Sequence, residues 1–247
     1  ALIQTSDNKI WAATPRDGVL IIDSKKQVDT LHIEGFKREW IYSMAEIKTG
    51  MVWLGTFGNG IIEINLQGKY TTRLQHNRLL PNSLANNEIW HIFAASNQLV
   101  WIGSSQALSV FNSENEAIKT LFGNTGRNNG INDIGINSVT EDPNGNLWLG
   151  LRTNGIDIVN TKFGVTKHIN VEPNTPESFI PSGSISDIVF TENNTALIAS
   201  NWGIYRSQNY HTKQLNLLER DSNEYTSSLH VEGNNLWAGG TDGLWHF

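Results

Sequence analysis

The chain has 247 residues, a formal charge of −6, no cysteine, 22 glycines and nine tryptophans. The acidic balance and the short basic clusters, Lys25-Lys26 and Lys37-Arg38, exclude a nucleic-acid partner; the lack of cysteine excludes disulfides, thiolate metal sites and thiol nucleophiles. No apolar run approaches the ~20 residues of a membrane span, so this segment is expected not to insert into a bilayer, and the N-terminus lacks a basic-then-apolar leader.

In chain order, one phrase recurs. Trp11-Ala12-Ala13 leads to Gly18-Val19-Leu20-Ile21-Ile22, Trp53-Leu54-Gly55 to Gly60-Ile61-Ile62, and Trp101-Ile102-Gly103 to Ala107-Leu108-Ser109. Trp148-Leu149-Gly150 leads to Gly155-Ile156-Asp157, Leu197-Ile198-Ala199 to Gly203-Ile204-Tyr205, and Trp237-Ala238-Gly239 to Gly243-Leu244-Trp245. The clearest copy runs from Ile136 to Asn160 and reads as strand, tight turn, strand, loop, strand. Its turn, Asp142-Pro143-Asn144-Gly145, combines a proline that presets φ, side chains that bond to nearby backbone, and a glycine free to adopt positive φ.

A fourth strand is predicted after each third one, at Thr30 to Ile33, Tyr70 to Leu74, Ala117 to Leu121, Val165 to Ile169 and Lys213 to Leu217. Four short strands per repeat of 40 to 49 residues predict an all-β fold, a β-propeller of four-stranded antiparallel blades with about six blades covered. Expected blade bounds are 1–35, 36–76, 77–123, 124–171, 172–219 and 220–247, with the first and last incomplete. The chain is accordingly read as a fragment of a larger ring. Recurrence once per blade assigns the tryptophans to packing between blades. The small residue two places later, such as Gly55 or Gly150, marks a close approach of the neighbouring blade.

The phrase from Ile136 to Asn160 resembles the repeat of the two-component regulator propellers. The connector from Asn77 through Pro81-Asn82-Ser83-Leu84-Ala85-Asn86-Asn87-Glu88-Ile89 resembles that family's blade-to-blade link. Departures are Thr195-Ala196-Leu197 in the fifth copy and Ser104-Ser105-Gln106-Ala107 in the third. The resemblance implies a seven-bladed or double-propeller sensor, the periplasmic part of an inner-membrane-anchored hybrid two-component histidine kinase. It implies an oligosaccharide ligand, the rest of the same sensor polypeptide as partner, and no enzymatic activity in this segment. A second copy of the chain is a further candidate partner.

The seven histidines show no metal-site spacing, so no metal and no cofactor is expected, and no nucleophile elbow, phosphate loop or dinucleotide fingerprint occurs. Asp142 to Asn146 superficially matches a calcium loop but lacks the glutamate at its twelfth position, where Thr153 stands. The expected ligand face comprises the loops between second and third strands, together with the connectors. The loops contribute Arg16, Asp17, Phe57, Asn59, Gln106, Arg152, Asn154, Asn201, Trp202 and Asp242; Trp202 is the leading candidate and Trp40, in a connector, the next. Aromatic faces stack on sugars while Arg, Asn and Asp bond to hydroxyls, although Asn and Asp also populate loops simply to make turns. His91 shares its first-strand position with Ser43, Ser138, Asp187 and Ser228, a set expected to line a central channel. It is also the candidate catalytic group for the alternative reading, a streptogramin-lyase-like propeller enzyme. A third reading is a protein-interaction scaffold.

Overall fold

A computed structural model describes residues 1–14, 18–31, 40–122, 130–133, 135–160, 164–169, 184–201, 203–207, 215–219, 225–241 and 243–247. The regular elements among them are all strands. Blade 1 contains β1 (Leu2–Gln4), β2 (Ile10–Thr14), β3 (Gly18–Ile22) and β4 (Val28–Thr30); blade 2 contains β5 (Ile41–Lys48), β6 (Met51–Thr56), β7 (Ile61–Asn65) and β8 (Tyr70–Leu74). Blade 3 contains β9 (Ile89–Ala94), β10 (Leu99–Ser104), β11 (Ala107–Asn112) and β12 (Ala117–Phe122). Blade 4 contains β13 (Ile136–Glu141), β14 (Asn146–Leu151), β15 (Ile156–Asn160) and β16 (Gly164–Ile169). Blade 5 contains β17 (Ile185–Phe190), β18 (Ala196–Ser200), β19 (Gly203–Ser207) and β20 (Leu215–Glu219); the sheet of blade 6 pairs β21 (Thr226–Glu232), β22 (Asn235–Gly240) and β23 (Gly243–His246).

Every sheet is an antiparallel meander in sequence order, and the fold is a β-propeller of six blades. The blades divide into two compact units, Ala1–Leu121 and Phe122–Phe247. Within each unit the first strands of successive blades pack side by side.

Indoles seal the blades as the repeat predicts. Trp53 is 1% exposed and packs against Ile89, Ile92 and Phe111 of blade 3, its ring 4.9 Å from that of Phe111. Trp148 is fully buried against Ile185 and Ile188 of blade 5 and meets Phe190 edge-on at 5.2 Å. Gly55 and Gly150 are required by the same contact: an added Cβ would come within 2.8 Å of Ile89 Cγ2 in one case and of Ile185 Cγ2 in the other. The middle strands, buried on both faces, are apolar at consecutive positions, as in Leu147-Trp148-Leu149.

Asp142 explains the turn chemistry. Its Oδ1 accepts the Asn144 and Asn146 amides at 2.8 and 2.9 Å, and its Oδ2 accepts the Trp148 indole N–H at 3.2 Å. Gly145 takes φ of 78°. The carboxylate is thus committed to its own hairpin and to the packing indole.

Two fourth strands differ from the sequence reading. In blade 1 the strand begins earlier, at Val28–Thr30, with Leu20 opposite Thr30, and His32 and Ile33 of the expected strand lie outside the described residues; in blade 5 it is Leu215–Glu219, running past the expected end at Leu217, and Lys213 and Gln214 lie outside the described residues. Pairing register with the third strand sets these bounds, and Val28, Asp29 and Thr30 are all exposed, so burial leaves no alternating pattern to read.

Candidate functional site

The loop between the second and third strands is tied in five blades to the residue just before that blade's first strand. Phe57 N donates to Trp40 O (2.9 Å), Ser105 N to Glu88 O (3.3 Å), Arg152 N to Gly135 O (2.9 Å), Asn201 N to Ser184 O (3.3 Å) and Thr241 N to Tyr225 O (3.2 Å). Loops and connectors therefore share a surface within each blade. Ser104 stabilises the divergent loop of blade 3 as Thr56 stabilises that of blade 2: each hydroxyl donates at 2.8 Å to the carbonyl that closes the loop, Ala107 O or Gly60 O.

A second recurrent feature is a β-bulge in the first strand. Residues 41 and 43 pair with consecutive residues Thr56 and Gly55, leaving Tyr42 unpaired; the same shift leaves Trp90, Asn137, Ser186 and Ser227 as the extra residue in blades 3 to 6. A bulge re-aims one side chain and sharpens local twist. No sequence signal marks it, because it is a property of register between two strands.

In the first unit this geometry gathers exposed aromatics. Trp40 is 60% exposed, Tyr42 45% and Phe57 52%; the Tyr42 and Phe57 rings lie 5.7 Å apart at 53°. Phe57 also bridges to Glu88 in the next connector, whose Asn87 carbonyl accepts the Gly58 and Gly60 amides at 3.0 and 2.9 Å. Trp90 occupies the bulge of the adjoining first strand. Asn59, half-buried, accepts Gln75 Nε2 through its backbone carbonyl at 3.4 Å. Gln106 is exposed beside the Ser104 turn.

In the second unit, one predicted residue, Asn154, is taken up by the connector. Asn154 Nδ2 donates to Asn132 O at 2.9 Å, and Thr153 donates its amide and hydroxyl to Asp133 Oδ2 at 2.8 and 2.7 Å. Beneath them Asp157, fully buried, accepts Asn132 N at 2.7 Å and contacts His168 Nδ1 across the sheet. Burial pushes the Asp157 carboxyl up, against the opposing pull of the bonds from Asn132 and His168. Arg152 and Asn201 are exposed in their loops. Arg16, Asp17, Trp202 and Asp242 lie outside the described residues.

Two members of the His91 set act as blade fasteners. Ser43 Oγ accepts Ile92 N of the next blade at 2.9 Å, and Asp187 Oδ2 accepts Leu229 N of the next blade at 2.8 Å while its Oδ1 accepts Ile188 N. Burial raises Asp187 to about 6 despite those bonds and lowers the His91 imidazole to about 4. Among the described residues no group of three or more His, Asp or Glu side chains is placed to hold a metal ion, and no helix is long and apolar enough to cross a membrane.

Residues 130–153 match the family model of the two component regulator propeller. The chain is 26% identical over 218 residues to histidine kinase P4 of Formosa agariphila, covering 84% of this chain but 15% of that protein. The extracellular domain of the hybrid two component system BT4673 from B. thetaiotaomicron superposes with a TM-score of 0.62 at 17% identity, over all of this chain and 37% of that one. Virginiamycin B lyase from Staphylococcus aureus, in its catalytically inactive H270A form with quinupristin, gives 0.75 at 16% identity, over 99% and 78%. The lyase likeness is one of fold alone. The repeat match, the kinase relative and the sensor-domain fold point the same way: residues 130–153 match the two component regulator propeller, and the chain is similar in sequence to a histidine kinase and in fold to the extracellular domain of a hybrid two component system.

Proposed function

We propose that this propeller is the ligand-sensing part of a periplasmic sensor whose kinase lies elsewhere in the same polypeptide, and that its ligand is an oligosaccharide. The observation that carries the reading is the exposed trio Trp40, Tyr42 and Phe57, held by the loop-to-connector hydrogen bond and by the bulge, with Trp90 on the adjoining strand. Rigid rings of this kind stack on the C–H faces of pyranose units at little entropic cost. The paired rings of Tyr42 and Phe57, with exposed Trp40 joined to Phe57 through the backbone, otherwise leave apolar surface in water, which soluble surfaces keep small.

Calorimetric titration of the chain against plant and host oligosaccharides is the test. We expect one family of glycans to bind, with Trp40→Ala and Phe57→Ala each weakening it at least tenfold. Heatless titrations across the panel would leave the scaffold reading, and metal-dependent loss of a lactone antibiotic, abolished by His91→Ala, would move the protein to the enzyme reading.

A further inference from the structure

Blade 5 breaks the repeat at its packing position, and the consequence appears at its junction with blade 6. Leu197 replaces the indole and packs against Leu229, Leu236 and Ala238 of blade 6. A cleft of about 380 Å³ opens beside it, lined by Leu197, Val231, Leu236 and Phe247 and bordered by Glu192 and Arg206.

The register identifies what is missing. Val231 sits where Phe190 sits in blade 5, opposite the residue just before the packing position, and Phe190 is the ring that meets Trp148. Phe247 sits where Phe111 sits in blade 3, and Phe111 is the ring that meets Trp53. Both surfaces that elsewhere clasp an indole therefore face the cleft.

The cross-strand partner differs as well, being apolar opposite Trp11, Trp101 and Trp148 and acidic only opposite Trp53. Opposite Trp53 stands Glu63, whose Oε2 accepts the indole N–H at 2.9 Å; opposite Leu197 stands Arg206, an exposed guanidinium with no hydrogen bond or ion pair to another described residue. A carboxylate opposite the ring suits an N–H donor; a guanidinium suits an acceptor or anion, which it binds as a planar fork.

We propose that the cleft between blades 5 and 6 is a second ligand site, which takes a planar aromatic ring bearing a carboxylate. The ring occupies the vacant indole position between Leu197 and Phe247, and the carboxylate pairs with Arg206. Glu192, the acid at the rim, disfavours a second negative charge on the ligand. The site is independent of the glycan reading, since none of its residues belongs to the aromatic trio of the first unit.

The test uses 2-naphthoate, with neutral 2-naphthamide as control, titrated into the chain and followed by ligand-observed NMR. We expect saturable binding of naphthoate in the sub-millimolar range and weaker binding of the amide. Leu197→Trp restores the indole of the other copies; it should melt no lower than wild type and reduce binding of both probes at least tenfold. Arg206→Gln should weaken naphthoate about tenfold and leave naphthamide unchanged. The proposal falls if naphthoate does not saturate, if Leu197→Trp binds as wild type does or melts lower, or if Arg206→Gln affects both probes alike.

Discussion

The two units repeat one phrase and pack it in the same way, yet they fill the first-strand bulge with different chemistry. In Ala1–Leu121 the extra residue is Tyr42 or Trp90; in Phe122–Phe247 it is Asn137, Ser186 or Ser227. Two of the polar residues of the second unit satisfy local groups: Asn137 Nδ2 donates to Ser184 Oγ, and Ser227 Oγ to Gly239 O, whereas the Ser186 hydroxyl is buried without a hydrogen-bond partner among the described residues. Of the aromatic ones, Tyr42 stands beside the exposed ring of Phe57. Packing thus fixes what recurs, and the register positions released from packing are where the units diverge.

That contrast breaks first if the indoles are not equivalent. Trp53→Ala and Trp148→Ala should each cost about 3–5 kcal/mol of unfolding free energy, the range for truncating a buried aromatic. Leu197→Ala should cost less, because its site already borders a cleft and the lost contacts are fewer. Chemical denaturation of the three variants decides; equal losses would mean that Leu197 seals blade 5 as well as an indole would.

Asp142→Ala comes next. It removes the acceptor of two turn amides and of the buried Trp148 N–H, and leaving such donors unpaired costs about 1–3 kcal/mol. Asp142→Asn keeps an acceptor oxygen and should lose less than half as much, read from the same denaturation curves.

These stabilising parts were largely legible in the sequence. The packing tryptophans, Gly55 and Gly150, and the Asp142 turn follow from local chemistry repeated once per blade. The bulge was not legible, because Tyr42 and Trp90 read as ordinary strand residues until their pairing with the second strand is known. The fastening roles of Ser43 and Asp187 were hidden for a similar reason: their partners, Ile92 N and Leu229 N, lie more than 40 residues away. Leu197 was visible as a departure, but what it opens depends on Val231 and Phe247 of another blade. In blade 4 the loop residue Asn154 looked suited to a ligand, yet its amide holds the connector; loop composition alone does not separate the two uses.

Acid titration sharpens the contrast with opposite signs. The His91 imidazole, in the first unit, lies at about 4 when folded against 6.5 in the open chain, so the unfolded chain binds the proton first. Its contribution is present above pH 6.5 and is lost as pH falls toward 4. Asp187, in the second unit, lies at about 6 against 3.8, so the folded chain binds more protons between those values; its contribution is present below pH 3.8 and is lost as pH rises through 6. Between pH 4 and 6 the two offset each other. His91→Ser should therefore make stability fall more steeply with rising pH in that window, and Asp187→Ser should make it rise more steeply. Thermal midpoints at half-unit steps measure both slopes, and parallel profiles for the two variants would contradict this assignment.

The smallest effect runs the other way. Ala95 holds the turn position in blade 3 that Asp142 holds in blade 4: Ala95 N donates to Leu99 O and Gln98 N to Ala95 O, as Asp142 N donates to Asn146 O and Gly145 N to Asp142 O. The Trp101 indole N–H, with no acidic residue at that turn, has no hydrogen-bond partner, whereas Trp148 has Asp142. Ala95→Asp should supply the acceptor and stabilise the protein by about 1 kcal/mol, the net worth of a typical hydrogen bond. Gln98, at φ of 65°, occupies the place of Gly145, so Gln98→Gly relieves a left-handed conformation and should add to the gain. A raised denaturation midpoint for Ala95→Asp, with ligand affinity unchanged, would show that the turn carboxylate serves the packing indole in either unit; a lowered midpoint would confine that role to blade 4.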